Sequence, residues 1–110
     1  MIRIIAFIRP HQLEEVKSAI AVTGVSGLNV SDVKGRGNSD EKEVRFLTEV
    51  DVLRMRSRIE VVCEDHLKEE VVAAIINHAR TDKPGDGKIF IEPILDAVRI
   101  RTLERGSLAI

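Results

Sequence analysis

Apolar and polar positions change period several times along this chain. Residues 1–9 alternate, with Ile2, Ile4, Ala6 and Ile8 set against Ile5 and Phe7. Both faces are mostly apolar, which predicts a central strand covered on each side. Pro10 cannot continue it. From His11 the spacing becomes helical: Leu13, Val16, Ala19 and Ile20 share one face, with Glu14, Glu15 and Lys17 mostly opposite. Gly24 stops that helix. A second strand follows, with Leu28, Val30 and Val33 expected to face inward and Gly35 and Gly37 ending it. After a polar break, "NSDEKE", a strand is clearest over Arg58–Cys63, centred on "IEVV". Residues 37–55 read as an extended loop or hairpin arm, and a loop of that length in a small domain is commonly functional.

Asp65 is placed to cap a second helix. Its expected buried stripe holds Leu67, Val71, Ile75 and His78, with Val72, Ile76 and Ala79. "TDKPGDG" breaks the chain, "KIFIEPI" is a further strand, and "AVRIRT" reads as a short final one. The order strand, helix, strand, strand, helix, strand predicts an α+β fold, the ferredoxin-like βαββαβ sandwich. At 110 residues the chain forms one domain, 1–110. Its core is aliphatic: 44% of residues are hydrophobic, only 3% are aromatic, and Trp and Tyr are absent. Strands apolar on both sides need a cover for the second sheet face, which self-association would supply.

A net charge of -1 gives no overall field to draw nucleic acid or an anionic membrane. No apolar run approaches the ~20 residues of a membrane span, and "MIRIIAFIRP" is too short for a secretory signal. Cys63, the single cysteine, suits a reducing cytoplasm and core packing. His11, His66 and His78 have no metal-ligand spacing with one another or with Cys63. No spacing supports covalent or acid–base catalysis.

Three basic features carry the candidate chemistry. "GDGK", Gly85, Asp86, Gly87 and Lys88, reads either as a tight hairpin turn or as a backbone cradle for a phosphate, with Lys88 adding charge at its mouth. Arg99 and Arg101, two apart in the expected last strand, share a face. They either pair with Glu104 or Asp96, or grip an anion between their guanidinium forks. In "RMRSR", Arg54 reads as a solvated edge charge. Arg56 and Arg58 are the better ligand candidates, with Arg36 at the other side of the same hairpin.

Taken together, these stretches are familiar. "GDGKIFIEPILDAVRIRTLERG", residues 85–106, resembles the C-terminal signature of the PII signal-transduction proteins. Residues 1–37 resemble the family's N-terminal segment, and "RIEVVCED" its strand after the large loop. The resemblance implies a homotrimer with adenine nucleotide, ATP or ADP, in clefts between subunits, and AMP is a further candidate ligand here. It assigns phosphate contacts to Gly85, Asp86, Gly87, Lys88, Arg99 and Arg101, makes Arg56 the replacement of a family lysine, and puts Gly35, Arg36 and Gly37 in the cleft wall. With the sheet face that carries Arg56, Arg58 joins the same set. Asn29 stands where a threonine often meets the adenine edge.

The loop departs from the family. PII proteins usually continue from "GFG" into "RQKG" and carry a loop tyrosine; this chain reads "GRGNSDEKEVRF" and has no tyrosine. Regulation by tyrosyl nucleotidylation is excluded by composition. The missing glutamine, replaced at the nearest position by Ser39, counts against 2-oxoglutarate held through Mg–ATP. The expected function is a cytoplasmic regulator, not an enzyme. It senses nucleotide plus a small anion and acts through its loop on a transporter or an enzyme. A carboxysome-type, bicarbonate-linked variant and a slow ATPase are the alternatives. An RNA-binding sheet lacks the aromatic platforms it needs.

Overall fold

A computed structural model describes residues 1–36 and 53–110. Its elements are β1 (Ile2–Ile8), α1 (Leu13–Val22), β2 (Asn29–Gly35), β3 (Arg54–Cys63), α2 (Lys68–Ala79) and β4 (Lys88–Pro93), with 3-10 turns at Pro10–Gln12, Asp65–Leu67 and Gly106–Ala109. The strands form one antiparallel sheet in the order β2-β3-β1-β4. β1 therefore lies inside the sheet, as its two apolar faces require. The expectations placed on Gly37 and on residues 38–52 lie outside the described residues.

The pleat sorts each strand into two faces. Ile4, Ala6 and Ile8 of β1 and Ile59, Val61 and Cys63 of β3 point to the helices and are buried. Val16 and Ile20 of α1 meet Val71, Ile75 and Ala79 of α2 above them. Burial pushes the Cys63 thiol pKa up, which keeps it protonated and inert. Ile59→Val removes one methylene from this layer, and its cost should be about 1 kcal/mol, read from the urea midpoint at unchanged slope.

The opposite face carries Ile5, Phe7 and Phe90, whose last two rings meet edge to face at 6.2 Å. It also carries a chain of charges: Arg3 pairs with Glu92 and, at 3.4 Å, with Glu60, whose other oxygen takes Arg58 at 2.8 Å. Phe90 is 53% exposed, so this face is only partly covered within one chain.

Several expectations need correction. β3 begins at Arg54, so the loop's last two expected residues, Arg54 and Met55, belong to the strand. Val30 and Val33 do not share an inward face: Val30 pairs with Ile59 and Val33 with Arg56, on alternate sides, and Val30 is exposed. Asp65 caps no helix. It lies in a 3-10 turn and takes the Met1 amino group at 2.9 Å, and α2 starts at Lys68. His78 is exposed, with Nδ1 against the Ala74 carbonyl at 2.9 Å, because the buried stripe runs at i, i+4 and i+8 through Val71, Ile75 and Ala79.

"AVRIRT" is not a strand. Val98 bridges Arg105, the Arg99 N–H donates to the Glu104 carbonyl at 2.9 Å, and the Leu103 N–H returns to the Arg99 carbonyl at 2.8 Å. The segment closes on itself, placing Arg99 and Arg101 in a tight loop rather than side by side on a sheet.

Candidate functional site

The ends of four elements meet at one end of the sheet. β1 leaves through Arg9, β2 finishes at Gly35, β3 starts at Arg54 and β4 starts at Lys88. One row of directly opposed residues crosses the sheet close to this end: Ser31, Arg58, Phe7 and Lys88. Arg56, one row further out, faces Val33, and Gly35 faces Arg54. Four basic residues, Arg54, Arg56, Arg58 and Lys88, thus project from one face near one edge of the molecule.

The Gly-rich segment joins α2 to β4, so it is not a turn between two paired strands, and the hairpin reading fails on topology. Gly85 has φ +97° and Gly87 φ +104°, backbone that L side chains avoid. A Cβ on Gly87 would sit 1.7 Å from the Phe7 carbonyl oxygen, so the turn lies flat against the end of β1.

Asp86 is the organiser of this turn. Its carboxylate accepts from the Thr81 N–H at 2.7 Å, from the Asp82 N–H at 3.0 Å, from the Thr81 hydroxyl and from the Arg9 guanidinium. Arg9 also donates to the Pro84 carbonyl at 2.8 Å. These bonds aim the carboxylate into the loop, so Asp86 shapes the cradle and its carboxylate is occupied there. Arg9 was missed in the sequence because it lies 77 residues from Asp86, whereas Thr81, five residues away at the head of "TDKPGDG", was within reach of a local reading.

The Thr81 hydroxyl first, then Arg9 and the Thr81 amide, hold the Asp86 carboxyl well below the usual carboxylate range. A depressed folded pKa means the loop is fully stabilised above the unfolded value near pH 4 and loosens as pH falls through the folded value. The Thr81 and Asp82 amides should therefore resist hydrogen exchange at neutral pH and lose that protection on acidification below about pH 4. Asp86→Ala should remove it at neutral pH too.

The remaining candidates divide by partner. Arg58 is engaged by Glu60, and Arg56 donates to the Met55 carbonyl at 2.9 Å. Gly35 has no unusual φ and a Cβ there would meet nothing within 4 Å, so the chain by itself does not demand glycine at that position. Arg36 follows it, exposed. The acidic pairing, one of two alternatives for Arg99 and Arg101, does not form. Asp96 takes Arg105 at 2.7 Å instead, and among the described residues Arg99, Arg101 and Lys88 have no side-chain hydrogen bond or ion pair.

Nor does one chain bring the two cation groups together through its sheet. β4 runs from Lys88 away from the cradle, and the Ile94 N–H donates to the Met1 carbonyl at 3.1 Å, at the far end of β1. Arg99 and Arg101 follow later in the chain, in the closed loop after β4. No group of three His, Cys, Asp or Glu side chains able to hold a metal occurs among the described residues. Among the same residues, no helix is long and apolar enough to cross a membrane.

Comparison with known proteins agrees with this architecture. The family model for nitrogen regulatory protein P-II matches residues 1–104. A nitrogen regulatory protein P-II of Cereibacter sphaeroides is 44% identical over 112 aligned residues, covering all of both chains. A nitrogen regulatory protein P-II 1 of Methanothermobacter thermautotrophicus is 42% identical, covering all of this chain and 97% of the relative. A P-II homolog of Arabidopsis thaliana is 38% identical over 94% of this chain and 55% of its own length. Matched along nearly its whole length, the chain belongs to the nitrogen regulatory protein P-II family of signal-transduction regulators.

Proposed function

We propose that this protein is a homotrimeric sensor of adenine nucleotides. ATP or ADP, and AMP more weakly, binds where the cradle of one copy faces Arg99 and Arg101 of the next. The observation that carries the reading is two cationic groups without partners among the described residues, Lys88 at the start of β4 and the arginine pair in the closed loop that follows it in the chain. Guanidinium forks without acidic partners suit polyphosphate oxygens. Head-to-tail pairing of the two groups between copies generates a closed ring when the rotation permits.

The cradle fits a phosphate on structural grounds. Two left-handed glycines leave the backbone bare, the turn is pinned against β1, and Lys88 is exposed at its mouth. Gly35 and Arg36 would form the wall on the β2 side, with Arg56 and Arg58 beside them, the latter having to leave Glu60. A magnesium ion would be held mainly by phosphate oxygens, since the described residues offer no acidic cluster.

Signalling follows if the nucleotide has different affinities for two states of the segment between β2 and β3; equal affinities would shift nothing. That segment would then engage a transporter or an enzyme in the cytoplasm. With Ser39 where the family usually has glutamine, the accompanying small anion is bicarbonate or a relative rather than 2-oxoglutarate. Titration calorimetry with ATP, ADP and AMP, each with and without 2-oxoglutarate or bicarbonate, tests this. Binding of ATP and ADP is expected, and 2-oxoglutarate should leave ATP affinity unchanged. No heat with any nucleotide would overturn the reading.

A further inference from the structure

The outer sides of the two helices carry a groove that shares no lining residue with the phosphate cradle. β1 and β2 both pair antiparallel to β3, so α1 must return along the sheet between them. β3 and β4 both pair antiparallel to β1, so α2 must return as well. The helices therefore run antiparallel to each other. Their core residues, Val16 and Ile20 with Val71 and Ile75, pack on the sheet. On the outer side the lining positions are small: Ser18 and Ala19 on α1, Ala73 and Ala74 on α2. Side chains of that size do not fill the space between the helices, and a groove of about 860 Å³ remains.

The groove has charge of one sign. Glu15 and Glu70 line it, each in the first turn of its helix, where the macrodipole favours an acid. Antiparallel packing then sets one carboxylate toward each end. Neither has an ion pair or side-chain hydrogen bond among the described residues. Glu14, also in the wall, takes Lys17 at 3.2 Å, and no lysine or arginine lines the groove. Toward the Glu70 end, Val22 is 87% exposed. A small apolar floor with an unpaired acid at each end has a definite complement: apolar in its middle and basic at its ends.

We propose that this groove docks a basic amphipathic helix of a partner protein. The ridge of a third helix seats between two others, and anchors at i, i+3, i+4 and i+7 are the recurrent form of such docking. Glu15 and Val22 lie at opposite ends of α1's share of the groove, about 10 Å apart along the helix axis. A helix that meets both acids therefore carries Lys or Arg at i and i+7, with apolar residues at i+3 and i+4 over the alanines. Charge complementarity selects this occupant. A second copy does not supply it, because α1 and α2 each hold two acids and one lysine. Nucleic acid and anionic membranes are repelled by the same carboxylates. A small molecule would be poorly enclosed, since Glu15, Ser18, Glu70 and Ala73 are all exposed.

The test uses a fluorescein-labelled synthetic peptide, alanine-rich and about 18 residues long so that it is helical alone. Lysines at i and i+7 bracket leucines at i+3 and i+4. The control peptide has the same composition, with its lysines moved to the face opposite the leucines. In anisotropy titrations with the full chain, wild type should bind the first peptide at least roughly tenfold more tightly than the control. Glu15→Lys/Glu70→Lys should bind the first peptide about tenfold more weakly than wild type, and added salt should narrow that difference. Ala73→Gln, which keeps every charge and fills part of the floor, should weaken it as well. All three positions are exposed, so the fold of each variant is not at risk, and far-UV circular dichroism checks it. No binding by wild type, equal binding of the two peptides, or wild-type affinity in either variant would overturn the docking. Sedimentation of wild type and of the charge-reversed variant should give the same mass. A change in mass would assign the groove to contact between copies and overturn the docking too. None of these outcomes depends on ATP binding.

Discussion

Gly87→Ala should be strongly destabilising, far more so than alanine at Gly24, Gly27, Gly35 or Gly106. Two penalties coincide at this residue. Its φ of +104° is backbone that alanine reaches only with strain, about 1–3 kcal/mol. The added Cβ would also lie 1.7 Å from the Phe7 carbonyl oxygen and 2.9 Å from the carbonyl carbon. Those atoms are backbone of β1, an interior strand paired to β3 and β4, so they cannot swing aside as a side-chain tip would. Relief requires lifting the start of β4 off Phe7 and breaking the Phe7–Lys88 pairing. With overpacking of about 1–3 kcal/mol added, the total cost is about 2–6 kcal/mol. Domains of this size have only about 5–15 kcal/mol to lose. Gly24→Ala is the internal control: φ is +89°, yet a Cβ there meets nothing within 4 Å. It should incur the conformational strain alone. Urea midpoints of the two variants, measured side by side, check the contrast. Equal losses would mean that the cradle is not packed against β1.

The same residue shows why part of the site was legible in sequence. Glycines spaced two apart before an apolar strand state a backbone requirement, and the structure meets it with two left-handed conformations. Helix faces and the interior position of β1 were legible for a similar reason: the change from a period of 2 to 3.6 is written in which residues are apolar. What could not be read depends on partners distant along the chain. Asp86 is directed by Arg9, 77 residues away. Asp65, a plausible cap by composition, is claimed by the Met1 amino group. "AVRIRT" alternates as a strand should, but alternation does not supply a neighbouring strand. The Arg99 N–H finds its acceptor at Glu104 and the Leu103 N–H at Arg99 instead, and a turn results. His78 fell on the apolar stripe by spacing, one position from Ala79, and the packing chose the alanine. At Asp86 and Asp65 a local signal was outcompeted by an interaction whose other half the local sequence does not contain.

Arg101→Ala should have the opposite profile from Gly87→Ala: large in ligand affinity and nearly silent in stability. Arg101 is exposed, sits in a self-braced loop and has no ion pair or side-chain hydrogen bond among the described residues, so its removal leaves no buried group unsatisfied. The urea midpoint should stay close to wild type. At a polyphosphate, however, a guanidinium makes charge-assisted bonds of about 1.5–3 kcal/mol, so ATP affinity should fall about 10- to 150-fold. Arg101→Lys should fall between, since it keeps the charge and loses the planar fork. Arg99→Ala should weaken ATP as well, and the double variant more than either, though short of the sum if both arginines grip the same phosphate. Calorimetry at two salt concentrations separates direct binding from general field. If the Arg101 guanidinium touches phosphate, its removal should reduce the affinity at both concentrations, whereas a deficit that vanishes at high salt would mean only a change in long-range potential. Unaltered ATP affinity in Arg101→Ala, set against a wild type that binds, would remove the arginine pair from the site and with it the reason for placing that site between copies.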